Sequence, residues 1–289
     1  MNRALESYLT RWQLSNPEPL ARTLTSDLYR VQTANEPGVL KILSKIGAKD
    51  ERGAADALRW FGGHGAVELL RHDNGAMLLE LAEGGSLASV VESGRDDEAT
   101  KIIADLLNKL HFANSSEPPK NLIPLLRRFR SLLEDGSARQ VDPIIARGAA
   151  VARELLHNEV RQHVLHGDIH HDNIRWHSRR GWLAIDPKGV LGERVYDAAN
   201  ALCNPHSLPE LVHSRDRLLR QAEIMASGLG VDQARLLAYT FAHACLSACW
   251  SVEDGQDPSH SLVMARIAES CSNIASSPAR TSRPDKGPS

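Results

Sequence analysis

The first third of the chain combines short apolar runs with one segment of helix-forming residues. The runs are bounded by turn residues, which predicts strands at 28–32, 38–43, 67–72 and 76–81. The pair Asn74-Gly75 between the last two favours a tight hairpin turn. Residues 51–60 are rich in helix formers. The pattern therefore predicts a small antiparallel sheet with one helix.

Beyond Glu83-Gly84-Gly85-Ser86, apolar residues recur at the spacing of a helix. The clearest stripe comprises Ile102, Ile103, Leu106, Leu107 and Leu110. Further helices are predicted near 144–156, 209–227, 232–250 and 259–274, with short strands at 174–176 and 182–185. We expect an α+β fold of two lobes: residues 1–82 form a sheet lobe that ends in a hinge, and 83–275 form a helical lobe. The polar, proline-rich segment 276–289 is predicted to be a disordered tail.

Composition narrows the class of partner. A chain of 289 residues with 42% hydrophobic content can bury a substantial core. Its net charge of −2 gives no basic stripe, so nucleic acid is not an expected partner. The sequence has no apolar run long enough to span a bilayer and no signal-peptide pattern at its start, so we expect a cytoplasmic protein without a membrane partner. Cys245 and Cys249, one helical turn apart in an apolar segment, are predicted core residues.

The segment 166–173, His-Gly-Asp-Ile-His-His-Asp-Asn, carries the most specific chemistry. It fits the pattern H-x-D-x-x-x-x-N of phosphoryl-transfer enzymes, and a second acid, Asp186, follows after an apolar run. In that chemistry one carboxylate orients the acceptor hydroxyl, which is the role predicted for Asp168. Asn173 and Asp186 offer only oxygen ligands, which suits Mg²⁺ on nucleotide phosphates. The pattern predicts an ATP-dependent kinase.

Zinc is the alternative for the same segment. His166, His170 and His171 lie close together, and imidazole is a common zinc ligand. However, no cysteine lies nearby, and the adjacent His170 and His171 would point in different directions on any regular element. We therefore favour magnesium.

A lysine and a glutamate upstream complete the kinase order. Lys41 lies in the apolar run 38–43, as expected for the strand lysine that reaches nucleotide phosphates. Glu51 opens the predicted helix and would pair with it. Alone, a strand lysine is more often a solvated edge residue. The order Lys, Glu, H-x-D-x-x-x-x-N, Asp makes the nucleotide role the stronger hypothesis.

The phosphate loop is the weakest element of this pattern. No G-x-G-x-x-G precedes Lys41, and residues 24–31 occupy the position that such a loop would take. Ser26 and the backbone amides around Asp27 would be the phosphate donors, since a tight turn presents N–H groups whatever its side chains are. The alternative is an ordinary Ser/Asp hairpin turn.

Taken together, the catalytic segment and the run 182–193, Trp-Leu-Ala-Ile-Asp-Pro-Lys-Gly-Val-Leu-Gly-Glu, resemble the aminoglycoside phosphotransferases. The likeness is greatest to the streptomycin 6-kinase and hydroxyurea phosphotransferase branch. It extends to 77–80 at the hinge and 244–250 near the C-terminus, and it covers most of residues 20–270. The resemblance implies a two-lobed protein-kinase-like fold with a small antiparallel-sheet N-lobe and a mainly helical C-lobe.

Residue roles follow from the resemblance where positions match. It implies Asp168 as catalytic base, Asn173 and Asp186 as Mg²⁺ ligands, and Lys41, braced by Glu51, on the ATP phosphates. The backbone near Glu80 and Ala82 would hold the adenine, and His166 and Asp197 would support the catalytic loop. A cationic aminoglycoside needs carboxylates, and the family places them on C-terminal helices. The candidates for acceptor binding are Glu193, Trp250, Glu253 and Asp254.

The expected function is therefore transfer of the γ-phosphate of ATP to a hydroxyl of an aminoglycoside, with streptomycin as the leading acceptor and antibiotic inactivation as the consequence. We expect a monomer or weak dimer. Two alternatives stay open at this point. One is a kinase for a sugar, an amino alcohol or hydroxyurea, and the other is a nucleotide-binding module that has lost catalysis. Each acceptor acid taken singly is more often a solvated surface residue.

Overall fold

The computed structural model of the chain describes residues 3–45, 47, 52–134, 140–157 and 161–272. The predicted tail 276–289 lies outside these residues. The strands are β1 Ser15–Arg22, β2 Ser26–Gln32, β3 Pro37–Leu43, β4 Leu69–Asp73, β5 Ala76–Glu80, β6 Ile123–Pro124, β7 His163–Leu165, β8 Ile174–His177, β9 Gly181–Ala184 and β10 Val190–Gly192. The helices are α1 Arg3–Trp12, α2 Arg52–Phe61, α3 Ala88–Glu92, α4 Asp96–His111, α5 Leu125–Arg128, α6 Arg130–Glu134, α7 Ile144–His157, α8 Val195–Leu202, α9 Pro209–Val212, α10 Arg215–Leu229, α11 Gln233–Glu253 and α12 Ser259–Cys271.

Five strands form one antiparallel sheet in the order β1-β2-β3-β5-β4. Four of them lie where the sequence pattern predicts strands, and β4 and β5 form the predicted hairpin. β1 was not predicted, because it contains Pro17 and Pro19 and is exposed along nearly its whole length. Proline is tolerated in such a strand because an edge position leaves one row of backbone groups unpaired.

The two faces of this sheet contact different helices. Leu40 and Ile42 of β3 pack in a cluster with Leu5 and Trp12 at α1. Side chains alternate along a strand, so Lys41 points to the opposite face, towards the side on which α2 packs. The alternation of side chains along β3 therefore places Lys41, which is only 4% exposed, in the interior of the molecule.

The helical part is built around α11. Buried residues occur all round this helix, which is typical of a helix enclosed by others. Cys245 packs against Gly148 of α7, where a Cβ would lie 2.4 Å from the sulfur, so the prediction of a core cysteine is confirmed. The predicted helix 209–227 is divided in two, because Ser214 caps the start of α10 by accepting a hydrogen bond from the Arg217 N–H.

Short strands hold the loops that carry the predicted chemistry. β10 pairs with β7 and β6, while β8 and β9 form a hairpin. The segment 83–86, the predicted hinge, is tied to this hairpin by backbone bonds from Gly84 N–H to Trp176 O at 2.8 Å and from Trp176 N–H to Gly85 O at 3.1 Å. Gly84 is required there, since a Cβ would lie 2.7 Å from the Trp176 Cβ. Within the described residues, no helix has the length and apolar character needed to cross a membrane.

Candidate active site

The loop between β7 and β8 carries the predicted catalytic motif, and Asp197 of α8 fixes its backbone. The carboxylate of Asp197 accepts hydrogen bonds from the N–H groups of His166 at 2.8 Å and Gly167 at 2.7 Å, and lies 3.1 Å from His111 Nε2. Burial alone would raise the pKa of Asp197, but these donors outweigh it and the pKa lies below its ordinary value. Asp197 is therefore an ionised anchor for the loop, as the resemblance implies.

His166 joins the loop to the residue that precedes Asp186. Its Nε2 lies 2.9 Å from the Ile185 carbonyl oxygen, and its Nδ1 lies 3.3 Å from the Asp168 N–H. A carbonyl only accepts, so Nε2 carries the proton and Nδ1 accepts. Burial lowers the pKa of His166, which keeps the ring neutral.

This arrangement also bears on the zinc alternative. Both ring nitrogens of His166 are used in hydrogen bonds within the loop. In the part of the chain that the structure describes, no three His, Cys, Asp or Glu side chains are grouped so as to hold a metal ion.

Two amide side chains set the orientation of the Asp168 carboxylate. Oδ1 accepts a hydrogen bond from Asn200 Nδ2 at 3.1 Å, and Oδ2 faces Asn173 Nδ2 at 3.4 Å. A carboxylate only accepts, so both amides turn their NH₂ groups towards it. Asn200 Oδ1 then accepts from Asn204 Nδ2 at 3.0 Å and from His243 Nε2 at 3.1 Å. The orientation of Asp168 is thereby set by a network that reaches α11.

Asp186 binds two lysines, one on each carboxylate oxygen. Lys41 Nζ lies 2.5 Å from Oδ1, and Lys188 Nζ lies 2.8 Å from Oδ2. Burial would raise the pKa of Asp186, but the charges of the two lysines outweigh it and hold the pKa well below its usual range. The backbone of Asp186 has φ of 58°, in the left-handed region. Such a conformation is uncommon outside glycine and clusters at functional sites.

Asn173 and Asp186 together form a donor set that fits Mg²⁺. The NH₂ group of Asn173 is directed to Asp168, where it also donates to the backbone oxygen at 2.9 Å, so its Oδ1 points away from that residue. The Ile185 N–H donates to the Asn173 carbonyl at 2.8 Å, which ties the backbones of the two segments together. An ionised carboxylate and an amide oxygen are the ligands that a hard divalent cation prefers.

The predicted partner of Lys41, Glu51, lies outside the described residues, so that pairing stays a prediction. The adjoining helix α2 does contact the segment after Asp186. A Cβ on Gly189, whose φ is 64°, would lie 2.1 Å from the Gly53 carbonyl oxygen. The start of α2 is thus packed directly on the backbone of this segment.

The turn between β1 and β2 takes the place of the phosphate loop. Ser26 is 3% exposed, and its Oγ lies 3.2 Å from Thr23 Oγ1 inside the turn. The Ser44 N–H donates to the Thr25 carbonyl at 2.8 Å, which holds the turn against the end of β3. In this arrangement the Ser26 hydroxyl serves the turn itself, and its role towards phosphate stays a prediction.

The side chain of Glu80, at the end of β5, contacts other residues of the protein. Its carboxylate pairs with Arg180 and accepts a hydrogen bond from the Glu68 N–H at 2.9 Å. Only backbone groups of Glu80 are therefore left for a nucleotide base. Ala82 is 5% exposed and offers no polar side chain. The prediction that the backbone at Glu80 and Ala82 holds the adenine stays untested.

Trp250 is the predicted acceptor residue with a link to the catalytic loop. The Arg128 guanidinium carbon lies 4.3 Å from the centroid of the Trp250 ring, a cation–π distance. Arg128 also donates to the Gly167 carbonyl at 3.2 Å. His243, which contacts Asn200, lies edge-on to the Trp250 ring at 6.1 Å.

The three predicted acceptor acids lie in different surroundings. Glu193 accepts two hydrogen bonds from Arg235, both at 2.5 Å, and one from the Tyr239 hydroxyl at 2.8 Å. Its charge is therefore already matched by a cation within the protein. Glu253 is exposed and accepts from the Ser131 hydroxyl at 3.0 Å, and Asp254 is exposed at the end of α11. The role of these three acids in acceptor binding stays a prediction.

Several site residues were not predicted from the sequence. Asn200, His243 and Arg128 come from three separate helices, and no short spacing connects them to Asp168. Lys188 offered a signal, because it lies two residues after Asp186, but the motif assigns no role to that position.

The chain is similar to one protein family and to several characterised relatives. A model of the family described as aminoglycoside/hydroxyurea antibiotic resistance kinase matches residues 11–255. The streptomycin 3''-kinase of Klebsiella pneumoniae is 38% identical over 251 residues, which cover 86% of this chain and 92% of that protein. The streptomycin 6-kinase of Streptomyces griseus is 34% identical over 207 residues, which cover 68% of this chain and 66% of that protein.

The solved structures support the fold. A thermostable mutant of an aminoglycoside phosphotransferase, crystallised as a ternary complex with ADP and hygromycin B, aligns with a TM-score of 0.63 at 10% identity. The alignment covers 94% of this chain and 99% of that one. The predicted protein-kinase-like fold is confirmed by this likeness.

Proposed function

The chain belongs to the aminoglycoside/hydroxyurea antibiotic resistance kinase family, and from this premise we propose that it transfers the γ-phosphate of ATP to a hydroxyl group of streptomycin. It is a phosphotransferase that uses an alcohol group as acceptor. The nucleotide, the metal ion, the acceptor and the residue roles are the parts that we propose. One observation carries the proposal: Lys41 binds Asp186, the N–H of the preceding Ile185 donates to the Asn173 carbonyl, and the Asn173 side chain contacts Asp168.

Asp168 acts as the proton acceptor in this proposal. Its carboxylate is partly exposed and is oriented by Asn200, so one face is available to an incoming hydroxyl. As the bond from the hydroxyl oxygen to the γ-phosphorus forms and the bond to the leaving ADP oxygen breaks, the hydroxyl proton passes to Asp168. A positioned base of this kind contributes about 10²- to 10⁴-fold to a rate.

Lys41, Asn173 and Asp186 bind and orient the nucleotide in the same proposal. Lys41 contributes a positive charge from the sheet. Asn173 and Asp186 would hold Mg²⁺, which when bound neutralises phosphate charge. In the proposed division of the chain, residues 1–82 contribute Lys41 to the nucleotide site, and residues 83–275 carry Asn173, Asp186, Asp168 and the acceptor site.

The role of Asp186 in metal-dependent binding has its own test. Isothermal titration of Mg-ATP into Asp186→Asn should show at least ~10-fold weaker binding than wild type, since a charged ligand to the metal is lost. The residual affinity should hardly change when Mg²⁺ is replaced by EDTA. Binding that keeps its full Mg²⁺ dependence would show that the metal site lies elsewhere.

Streptomycin is proposed as acceptor because the relatives from Klebsiella pneumoniae and Streptomyces griseus are both named as streptomycin kinases. The test is a coupled assay of ADP release with Mg-ATP and a panel of streptomycin, hygromycin B and hydroxyurea. We expect turnover with streptomycin, with a product that fragmentation mass spectrometry assigns to either the 3''- or the 6-hydroxyl. Turnover with hydroxyurea alone would contradict the proposal.

Hydroxyurea is the second candidate acceptor, and one contact favours it. Arg128 places a positive charge beside the catalytic loop and the Trp250 ring. A cation at this point disfavours a polycationic drug but not a neutral hydroxyl compound. An Arg128→Leu variant that gains streptomycin turnover and loses hydroxyurea turnover would support this candidate.

A further inference from the structure

Lys188 lies beside both the acid proposed for the metal and the acid proposed as base. Its Nζ is 2.8 Å from Asp186 Oδ2, while its Cβ lies 3.5 Å from the position that a Cβ of Gly167 would take. Gly167 is the immediate neighbour of Asp168. The Lys188 side chain therefore starts next to the base and ends on the metal-binding carboxylate.

The backbone of Lys188 is held from two sides. Its N–H donates to the His166 carbonyl at 2.7 Å, which joins it to the catalytic loop. Its carbonyl oxygen lies only 2.9 Å from the point where a Cβ on Gly53 would stand, at the start of α2. Pro187, which is buried, precedes it and fixes its own φ. A cation on so constrained a backbone is suited to a positional role, because little ordering is left to occur when a ligand binds.

Position and exposure suggest what Lys188 binds. Lys41 and Lys188 each bind one oxygen of the Asp186 carboxylate, so two ammonium groups lie at the proposed metal ligand. The Lys188 side chain is 26% exposed, against 5% for Lys41. Of the two lysine side chains, that of Lys188 is thus the more accessible from solvent, and its Cβ lies beside Gly167, the neighbour of Asp168.

We propose that Lys188 binds the γ-phosphate of the nucleotide, the group that is transferred, while Lys41 binds the inner phosphates. The inference rests on the proposed function, because it assumes a nucleoside triphosphate as donor. During transfer the γ-phosphorus exchanges the bridging oxygen of ADP for the acceptor oxygen, and the hydroxyl proton goes to Asp168. Lys188 takes part in none of these bonds. It stabilises the negative charge on the phosphoryl oxygens as they move towards the acceptor.

Binding of two nucleotides that differ in one phosphate tests this inference without any acceptor. Isothermal titration calorimetry would measure Mg-AMP-PNP and Mg-ADP on wild type, Lys188→Met, Lys41→Met and Lys101→Met. Lys101 is an exposed residue of α4 and provides the matched control for the same substitution.

We expect Lys188→Met to weaken Mg-AMP-PNP about 10-fold or more and Mg-ADP less than about 2-fold, since a charge-assisted bond to the third phosphate is lost. Lys41→Met should weaken both ligands, and Lys101→Met neither. Equal weakening of both ligands by Lys188→Met, or no weakening of either, would overturn the inference.

Two further measurements separate this role from a structural one. Lys188→Arg keeps the charge and should recover most of the AMP-PNP affinity, whereas Lys188→Gln should behave like Lys188→Met. If Lys188→Met fails to fold, the difference between the Arg and Gln variants decides the question in the same way, and equal affinities in the two would overturn the inference.

The outcome is separable from the choice of acceptor. A selective loss of AMP-PNP affinity together with no turnover of streptomycin would sustain the role of Lys188 and contradict only the acceptor. If wild type binds neither nucleotide, both the inference and the proposed kinase function are overturned.

Discussion

The two sides of Asp168 differ in the charge of the residues that form them. On the nucleotide side, Asp186 binds two lysines, and each ammonium nitrogen lies within 2.8 Å of one of its carboxylate oxygens. On the other side Asp168 meets Asn200, which contacts the neutral ring of His243, and Trp250 lies edge-on beyond that ring. The first side is suited to bind a phosphate chain, whose chemistry is the same in every kinase. The second side holds a carboxylate in place and leaves the acceptor to be selected by groups further away.

The two sides also differ in how far apart their residues lie in the sequence. The charged side needs one strand lysine and one segment of fewer than thirty residues, 166–188. The neutral side draws on Asn200 of α8 and His243 of α11, which meet only in the folded molecule. Phosphoryl transfer can therefore be predicted from spacing, whereas acceptor choice depends on how distant helices pack.

Replacing the residue between the two sides should have the largest effect. Asp168→Asn keeps the shape of the side chain and removes its capacity to take a proton. We expect kcat to fall by about 10³-fold, with Mg-ATP affinity within about 2-fold of wild type. Steady-state kinetics and calorimetry would check both values. Asp105→Asn on the exposed face of α4 is the control. A rate near that of wild type in Asp168→Asn would show that Asp168 is not the catalytic base.

Breaking the neutral side should have a smaller effect on the same step. Asn200→Leu removes the N–H that orients Asp168 Oδ1, at a cost of about 1.5–3 kcal/mol for a bond to a charged group. That corresponds to a kcat lowered by roughly 10- to 100-fold, with the KM for ATP unchanged. Asn108→Leu, which removes an amide that donates to the Gly228 carbonyl, is the control. A rise in the KM for ATP without a change in kcat would place Asn200 on the nucleotide side instead.

The residues of the catalytic loop and the sheet were predictable because their physical causes are local. Lys41 follows from strand alternation, and Asp168 and Asn173 from a fixed loop spacing. The edge strand β1 was not, since its prolines hide the usual pattern. Glu193 shows the limit on the acceptor side. An acid near a C-terminal helix looks the same in the sequence whether it meets a drug or, as here, Arg235.

A stability measurement can decide between these two roles for Glu193. Glu193→Gln should lower the free energy of unfolding by about 1–2 kcal/mol, because a partly buried, doubly hydrogen-bonded ion pair is lost. The KM for streptomycin should stay within about 2-fold of wild type. Denaturant unfolding and kinetics would measure the two quantities. Glu98→Gln, in an exposed pair with Arg95, should change stability by less than about 0.5 kcal/mol.

The opposite pattern would contradict this view of Glu193. A large rise in the KM for streptomycin without loss of stability would show that Glu193 binds the acceptor.

A further expected effect is a pH dependence of stability that arises from His243 on the neutral side. Burial, then the charges of Arg128, His206 and His170, lowers the pKa of His243 from 6.5 to about 3. The unfolded chain therefore binds the proton first, so stability from this residue is complete above pH 6.5 and is lost as the pH falls towards 3.

A variant without a titratable ring at position 243 tests whether His243 causes this loss of stability at low pH. His243→Gln keeps an N–H donor for Asn200 and should lose stability less steeply between pH 6.5 and 4, by at most about 1.4 kcal/mol per pH unit. Thermal unfolding across this range would measure the slope. A variant that loses stability more steeply than wild type would show that protonated His243 stabilises the fold.

In the proposed mechanism, Asp168 directs a hydroxyl of the acceptor to the γ-phosphate held on the charged side. The decisive experiment is mass spectrometry of streptomycin incubated with the protein and Mg-ATP. We expect a gain of one phosphoryl group with wild type and none, over the same time, with Asp168→Asn. Unmodified streptomycin from wild type, or equal product from both proteins, would contradict it.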